Sequence, residues 1–392
     1  MRSLEIAIIG AGIAGLGAAA ALLQRGLRAR VYEQAPALGD VGAGLTVSPN
    51  ATHALHAIGL ERELAAIGMR PAQGGVKHWR TGELLVSVVR GASMQAQYGA
   101  PYYQVHRADL HAALVRCVRA SATDGMDPIV LDHRFVGVRV AGGKVEVAFA
   151  NGARITADVL IGADGARSAV RTEVFGASQP RFTGYVAYRG LAEMARLGNG
   201  VVEPPSCLSL GPGASFTRYL VRNGTLVNYV GLAERDDWRE EGWSIRASMD
   251  ELLAEYEGWY ADIERIIRAT PPDKIFKWAL LDRDPLPTWV CGPVTLLGDA
   301  AHPMLPFLGQ GAAMGLEDAI VLARAIAAAD SIDAALRRYE AARLERTTFV
   351  MLKSRETAKI YHSGDLDSYH VGRHPSAESL GLMAYNPAVV PV

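Results

Sequence analysis

Residues Leu4–Ile9 form an unbroken apolar run, the pattern of a parallel strand buried on both faces. GAGIAG follows, then an Ala/Leu-rich helix to about Gln24, a Gly26 stop, and a second strand over Arg28–Glu33. Residues 34–60 hold a glycine-rich loop and a short helix, and Val76–Tyr103 predicts irregular strands. His106–Arg119 returns to helical spacing, with Leu110, Leu114 and Val118 on one face. Short strands follow as far as Asp164, two of them joined by a Gly142-Gly143 hairpin turn. From 180 to 280 the alternation has period two and predicts a mostly antiparallel sheet, with Trp238–Trp259 as surface helix packing. A buried parallel strand reappears at Val294–Leu297, a long helix begins at the GQGAA segment, and another helix runs from beyond Asp330 to about Ile360.

The elements alternate between two lobes, which predicts an α/β fold: a Rossmann-like lobe interleaved with a mostly antiparallel sheet lobe and C-terminal helices. The expected boundaries are 1–75, 104–178 and 285–330 for the dinucleotide lobe, 76–103 and 179–284 for the sheet lobe, and 331–392 for the C-terminal helices and tail. A chain of 392 residues suffices for both, since single cores stop growing near ~250–300 residues. Forty Lys and Arg balance 41 Asp and Glu, so no global field draws the chain to nucleic acid or membrane. Cys117, Cys207 and Cys291 are far apart and make no metal-ligand spacing, which fits free thiols in a reducing compartment. Leu4–Leu23 lacks a basic leader and a cleavage signature, so a cytoplasmic protein is expected. No self-complementary stripe stands out, which leaves monomer or homodimer open.

Gly10-Ala11-Gly12-Ile13-Ala14-Gly15 is a G-x-G-x-x-G between strand and helix. Gly10 permits the tight turn, Gly12 the approach of a pyrophosphate, and Gly15 the close packing of helix on strand. Glu33, 18 residues after Gly15, ends the second strand where a carboxylate can bind ribose hydroxyls. Arg107 opens a helix and can reach a pyrophosphate. Asp164 lies in a GADGARS turn, and Asp299 in GDAAHP at the carboxyl end of a buried strand, where ligands bind in such sheets. Gly311 and Ala312 start a helix whose unpaired amides favour negative charge, and Pro306 precedes them as a rigid wall.

GAGIAG with Glu33, HRADL, GADGARS, GDAAHP…GQGAAMGLEDA and YEAARLERT together resemble the group A FAD-dependent aromatic monooxygenases. GAGLTVSPN, GPGASFTRYLVRNGTLVNYVG and the YNPAVVPV tail resemble the salicylate hydroxylase and 6-hydroxynicotinate 3-monooxygenase branch. The resemblance implies a GR2-type, p-hydroxybenzoate-hydroxylase-like fold, bound FAD, and NADH or NADPH as transient co-substrate. It also implies oxygen transfer from a flavin C4a-hydroperoxide to a small phenolic or hydroxypyridine carboxylate, with loss of the carboxylate left open. By the same resemblance Gly10, Gly12, Ala14, Gly15 and Glu33 hold the adenosine half, and Arg107 lies near pyrophosphate and flavin. Asp164 belongs to a motif shared by FAD and NAD(P)H, Asp299 takes the ribityl chain, and Gly311 and Ala312 face the flavin ring. The partners implied are an aromatic substrate and O2, with no nucleic acid, membrane or metal. A reductase or oxidase on the same scaffold is the alternative.

On the substrate side the resemblance points to Tyr219 and Thr46. Thr46 and Ser215 stand where several relatives carry histidine. His302 is a candidate proton relay beside the flavin. Arg189 and Arg218 are candidates to grip a carboxylate, and Arg80 and Lys77 have weaker claims.

Overall fold

The computed structural model describes residues 4–39, 42–198, 200–238, 245–362 and 375–392. Trp243, within the tryptophan-rich stretch, and Val41, in the glycine-rich loop, lie outside them.

The first strand, Glu5–Ile9, is central in a six-stranded sheet because it has no polar face to offer water. It pairs in parallel with Arg28–Tyr32 on one side and Val159–Gly162 on the other. Val294–Leu296 continues the parallel order beyond Val159–Gly162, Ile129–Val130 lies beside Arg28–Tyr32, and Val290–Cys291 closes one edge antiparallel. The Ile13–Leu23 helix is buried nearly all round rather than amphipathic, which explains its Ala and Gly content. It packs against the helices Arg107–Ser121 and Gly311–Ala328, and at Gly17 a Cβ would already stand 3.2 Å from Leu316.

The second sheet has eight strands, and its order puts Arg181–Glu193, Leu226–Glu234, Ala214–Val221 and Ser206–Gly211 side by side. Only the junction of Ser206–Gly211 with Gln73–His78 is parallel. Period-two alternation divides its faces. Tyr188, Phe216 and Tyr229 pack against Ile263 and Ile267 of the short Ala261–Arg268 helix and against Tyr256 and Tyr260 in the link to it from the Met249–Glu255 helix. Ala187, Leu232 and Trp278 face Leu305, Phe307 and Ala358 of the other lobe. A two-stranded ribbon, Gly44–Val47 with Tyr103–His106, stands between the lobes.

A helix over Ala92–Tyr98 is absent from the sequence expectation for 76–103. Met94 is its only fully buried residue, so no periodicity announces it. The Gly142-Gly143 hairpin forms as expected, both residues holding positive φ (59° and 76°). The last long helix spans Ile332–Tyr361. Among the described residues no helix is long and apolar enough to cross a membrane.

Candidate active site

The turn after the first strand is built by exclusion of side chains. At Gly10, φ is +105° and a Cβ would stand 2.6 Å from the Ala163 carbonyl oxygen; at Gly15 a Cβ would meet the Gly10 oxygen at 2.1 Å. Gly12 has no neighbour within 4 Å of that position. Gly10 and Gly15 therefore serve packing, while Gly12 exposes backbone to an open cleft. No side chain caps the Ile13–Leu23 helix, so its first-turn amides, that of Ala14 included, face the cleft end without intrahelical acceptors. The Ala14 methyl itself lies against Gly298 and Gly315, where added Cβ atoms would approach to 3.0 and 2.9 Å.

Glu33 is fixed from both sides: Oε2 accepts from the Ala11 amide at 2.8 Å and Oε1 from Ala35 at 2.9 Å. With Gly12, Leu38, Arg107 and His111 it lines a cleft of about 160 Å³. The His111 ring is 2.8 Å from the Ala11 carbonyl and locks the Arg107–Ser121 helix to the glycine turn.

At the other end, Asp299 projects from the turn after Val294–Leu296. Asp299 is exposed at this turn. The crowding of protein around it pushes its carboxyl above the usual range, against the pull of His302 and Arg107. A Cβ on Gly311 would be 3.8 Å from Asp299 Oδ1, so the carboxylate faces the start of the Gly311–Ala328 helix, which carries no side-chain cap. Gly311 and Ala312 are both half-buried there. Pro306 is exposed and begins a 3-10 turn through Leu308, with Phe307 buried behind it.

Beneath these loops lies a polar network that sequence reasoning missed. Asp318 accepts from the Gly298 amide (3.0 Å), His302 Nε2 (2.5 Å) and Arg343 Nε (2.7 Å). Glu317 accepts from Arg343, Arg346 and Asn50. Asn50, Ser48 and Gln310 close a ring that holds the residue preceding Gly311. Arg343 and His302 hold the buried Asp318 carboxyl down at about 2, overcoming burial, which pushes it up. His302 thus lies inside this network, 1% exposed, beside Trp289.

Asp164 accepts from the Ser168 hydroxyl (2.5 Å) and the Ala169 amide (2.7 Å), so it orders the entry to the Ala169–Phe175 helix. Burial raises its carboxyl, and these bonds oppose the rise.

On the sheet, Tyr219 is buried, with Thr46 and Tyr102 near its phenol. Burial holds its phenol well above the ordinary value, so it stays neutral, while Thr46 pulls the other way. Ser215 lies on the same face four positions before Tyr219, its Oγ 3.3 Å from His362 Nε2. Arg189 is buried on that face beside Phe276 and Trp278. Arg218 points to the opposite face and donates to the carbonyls of Pro204 (2.8 Å) and Glu203 (3.1 Å). Lys77 lies over Tyr260 on that face, and Arg80 stacks on Trp79. The structure therefore brings Thr46 and Tyr219 together and separates Arg218, Lys77 and Arg80 from them.

These residues fit FAD. Two uncapped helix N-termini, a side-chain-free approach at Gly12, an acid oriented for ribose and a second acid at Asp299 suit a dinucleotide with a polar ribityl chain. Among the described residues no cluster of His, Cys, Asp or Glu could hold a metal.

Comparison with known proteins agrees. A family profile described as FAD binding domain matches residues 3–354. The 3-amino-4-hydroxybenzoate 2-monooxygenase PtnB3 of Streptomyces platensis is 39% identical, covering 92% of this chain and 89% of that protein. The 6-hydroxynicotinate 3-monooxygenase of Pseudomonas fluorescens is 36% identical, covering 89% and 90%. The crystal structure of Klebsiella pneumoniae HpxO with FAD and uric acid superposes with a TM-score of 0.85 at 28% identity, covering 98% and 96%.

Proposed function

The chain belongs to the family of FAD-binding monooxygenases, and from that premise we propose that it hydroxylates a small phenolic or hydroxypyridine carboxylate with NAD(P)H and O2. Bound FAD supplies reduction by the nicotinamide donor and activation of O2 for transfer of one oxygen atom to the ring. The protein's part is to bind, orient and exclude water. Gly12, Glu33 and Arg107 would hold the adenosine and pyrophosphate, Asp299 the ribityl chain, and the amides at Gly311 and Ala312 the electron-rich edge of the flavin.

The observation that carries the substrate class is the buried, neutral Tyr219 phenol beside Thr46. With its phenol held neutral, Tyr219 can donate to an acceptor on the ligand, a phenolate or carboxylate oxygen. The names of the relatives support an acidic aromatic ring. We further place the reaction in the cytoplasm, where NAD(P)H is available and free thiols persist.

The test is NADH and NADPH oxidation by the FAD-loaded protein with hydroxybenzoates, aminohydroxybenzoates and hydroxynicotinates, tracking peroxide in parallel. Strong stimulation by one such compound with little peroxide is expected. Stimulation by none of them would refute the substrate class.

A further inference from the structure

Alternation along the strand Ala214–Val221 puts Ser215, Thr217 and Tyr219 on one face of the large sheet. Thr217 stands opposite Leu208 on one side and Val230 on the other, and all three are half-buried. The rows that flank them are closed: Leu210, Ser215 and Leu232 are buried, and so are Tyr219 and Asn228. Solvent therefore reaches this face along one row between two closed ones, which makes Leu208, Thr217 and Val230 the floor of a trough. Apart from one hydroxyl that floor is apolar, a surface on which an aromatic ring can lie flat.

One end of the trough is the Tyr219 phenol beside Thr46. The other end comes from a distant part of the chain. The helix Ile332–Tyr361 finishes over the sheet, where Tyr361 packs on the cluster of Val76, Val86 and Leu210. His362, the next residue, is buried with its Nε2 3.3 Å from Ser215 Oγ. Its ring contacts Tyr185 and Phe307, with centroids 4.5 and 5.5 Å away. Phe307 follows Pro306 in the turn that leads to Gly311, so this end adjoins the helix start assigned to the flavin. Burial holds the His362 imidazole down at about 4, which keeps it neutral.

The spacing of the two ends suits a single ring. Four residues of strand separate Ser215 from Tyr219, about 13 Å at ~3.3 Å per residue. A hydrogen bond of ~2.7 Å at each end leaves about 8 Å, room for one six-membered ring with a substituent at either side. The ends differ in what they offer. Tyr219 is a neutral phenol that gives a hydrogen bond to an acidic group. Ser215 and His362 are a hydroxyl and a neutral imidazole, which bond a hydroxyl or amino group and supply no charge for a carboxylate.

We propose that Ser215 and His362 form the second polar contact of the ring site and select a ring that bears an uncharged hydroxyl or amino group across from the acidic group held at Tyr219. His362 thereby determines specificity from the end of the last long helix, outside the sheet that carries the ring. The inference deepens the proposed function and rests on it for the aromatic acid itself.

The test uses the FAD-loaded protein with 4-hydroxybenzoate, 4-aminobenzoate and benzoate, each titrated without reductant through its perturbation of the flavin spectrum. Wild type should bind the first two about fivefold more tightly than benzoate, the scale of one hydrogen bond. His362→Phe keeps an aromatic ring against Tyr185 and Phe307. It should bring all three ligands to one affinity, with benzoate within about twofold of wild type, less than a full hydrogen bond. Ser215→Ala should erase the preference in the same way, and His362→Gln, which returns a hydrogen-bonding group, should recover part of it. A preference that survives both His362→Phe and Ser215→Ala overturns the proposal. Equal losses for all three ligands, the mark of packing alone, overturn it too, as does a wild type that binds none of them. If an aromatic acid is hydroxylated but wild type shows no preference, this contact fails and the proposed function stands. If His362→Phe erases a preference yet no ring is hydroxylated, the contact stands and the proposed function fails.

Discussion

Replacing Arg343 with methionine should cost about 3–5 kcal/mol, the usual penalty for removing one partner of a buried ion pair. Glu317 and Asp318 are both fully buried, and Arg343 bonds each, at 2.5 and 2.7 Å. Without it Glu317 keeps Arg346 and Asn50, but Asp318 keeps only His302 and the Gly298 amide. His302 and Arg343 together hold the Asp318 carboxyl below its ordinary value, at about 2, against the burial that pushes it up. Removing Arg343 takes away one of the two groups that oppose that burial, which is the source of the penalty. The sign is that of a depressed acid: the stabilisation is complete above the unfolded value near 3.9 and disappears as pH falls toward 2. Urea unfolding followed by tryptophan fluorescence should show the gap between wild type and variant at pH 7 and its narrowing below pH 4. Arg343→Lys, which keeps the charge but not the two-partner geometry, should fall between them. Because the network anchors Gly298 and Gln310, FAD should also dissociate more readily from the methionine variant. A variant within 1 kcal/mol of wild type at pH 7, with unchanged FAD affinity, would refute the reasoning.

The glycines should separate by role. Gly15→Ala must drive a Cβ into the Gly10 oxygen and should lower the melting temperature of the apoprotein, whereas Gly12→Ala should leave it nearly unchanged and weaken FAD binding; equal effects in thermal melts would contradict the assignment. Asp299→Asn should hold or raise apoprotein stability while reducing FAD affinity measured by flavin fluorescence. The raised Asp299 carboxyl costs stability once ionised, a cost present above its folded value and gone as pH drops below the unfolded one. Tyr219→Phe should weaken ligand binding about three- to tenfold, the scale of one hydrogen bond, with added peroxide release. The Tyr219 phenol is held neutral, so the activity profile between pH 6 and 9 should keep its shape in that variant.

The local parts of this molecule were legible because local chemistry specifies them. Leu4–Glu33 encodes strand, glycine turn, helix and strand in one continuous stretch, and its spacing leaves few other folds. The same holds for Asp299 and Gly311, whose motifs sit at the ends of a buried strand and a helix. What spacing does not encode is long-range polar pairing. Asn50 meets Gln310 and Glu317 across 260 and 267 positions, and Asp318 meets Arg343 across 25. A Glu-Asp pair on a helix whose one other charged residue is Arg324, and two arginines three apart in YEAARLERT, were the available signal, since buried charges demand partners. His302 reads as a flavin neighbour because it follows Asp299 by three positions, yet the tight turn at Gly298 directs its ring to Asp318. The two faces of the large sheet were equally hidden. Arg218 and Tyr219 are adjacent in sequence, and a strand's alternation sends one to the Pro204 carbonyl and the other to Thr46.

The most direct test of the central claim is the origin of the oxygen atom in the product. The FAD-loaded protein, NADH or NADPH, and the aromatic acid that best stimulates oxidation are incubated under 18O2, and the product is weighed by mass spectrometry. The account predicts one 18O atom in the ring hydroxyl and none from labelled water. A product labelled from water, or substrate returned unchanged with all reducing equivalents recovered as peroxide, would contradict it.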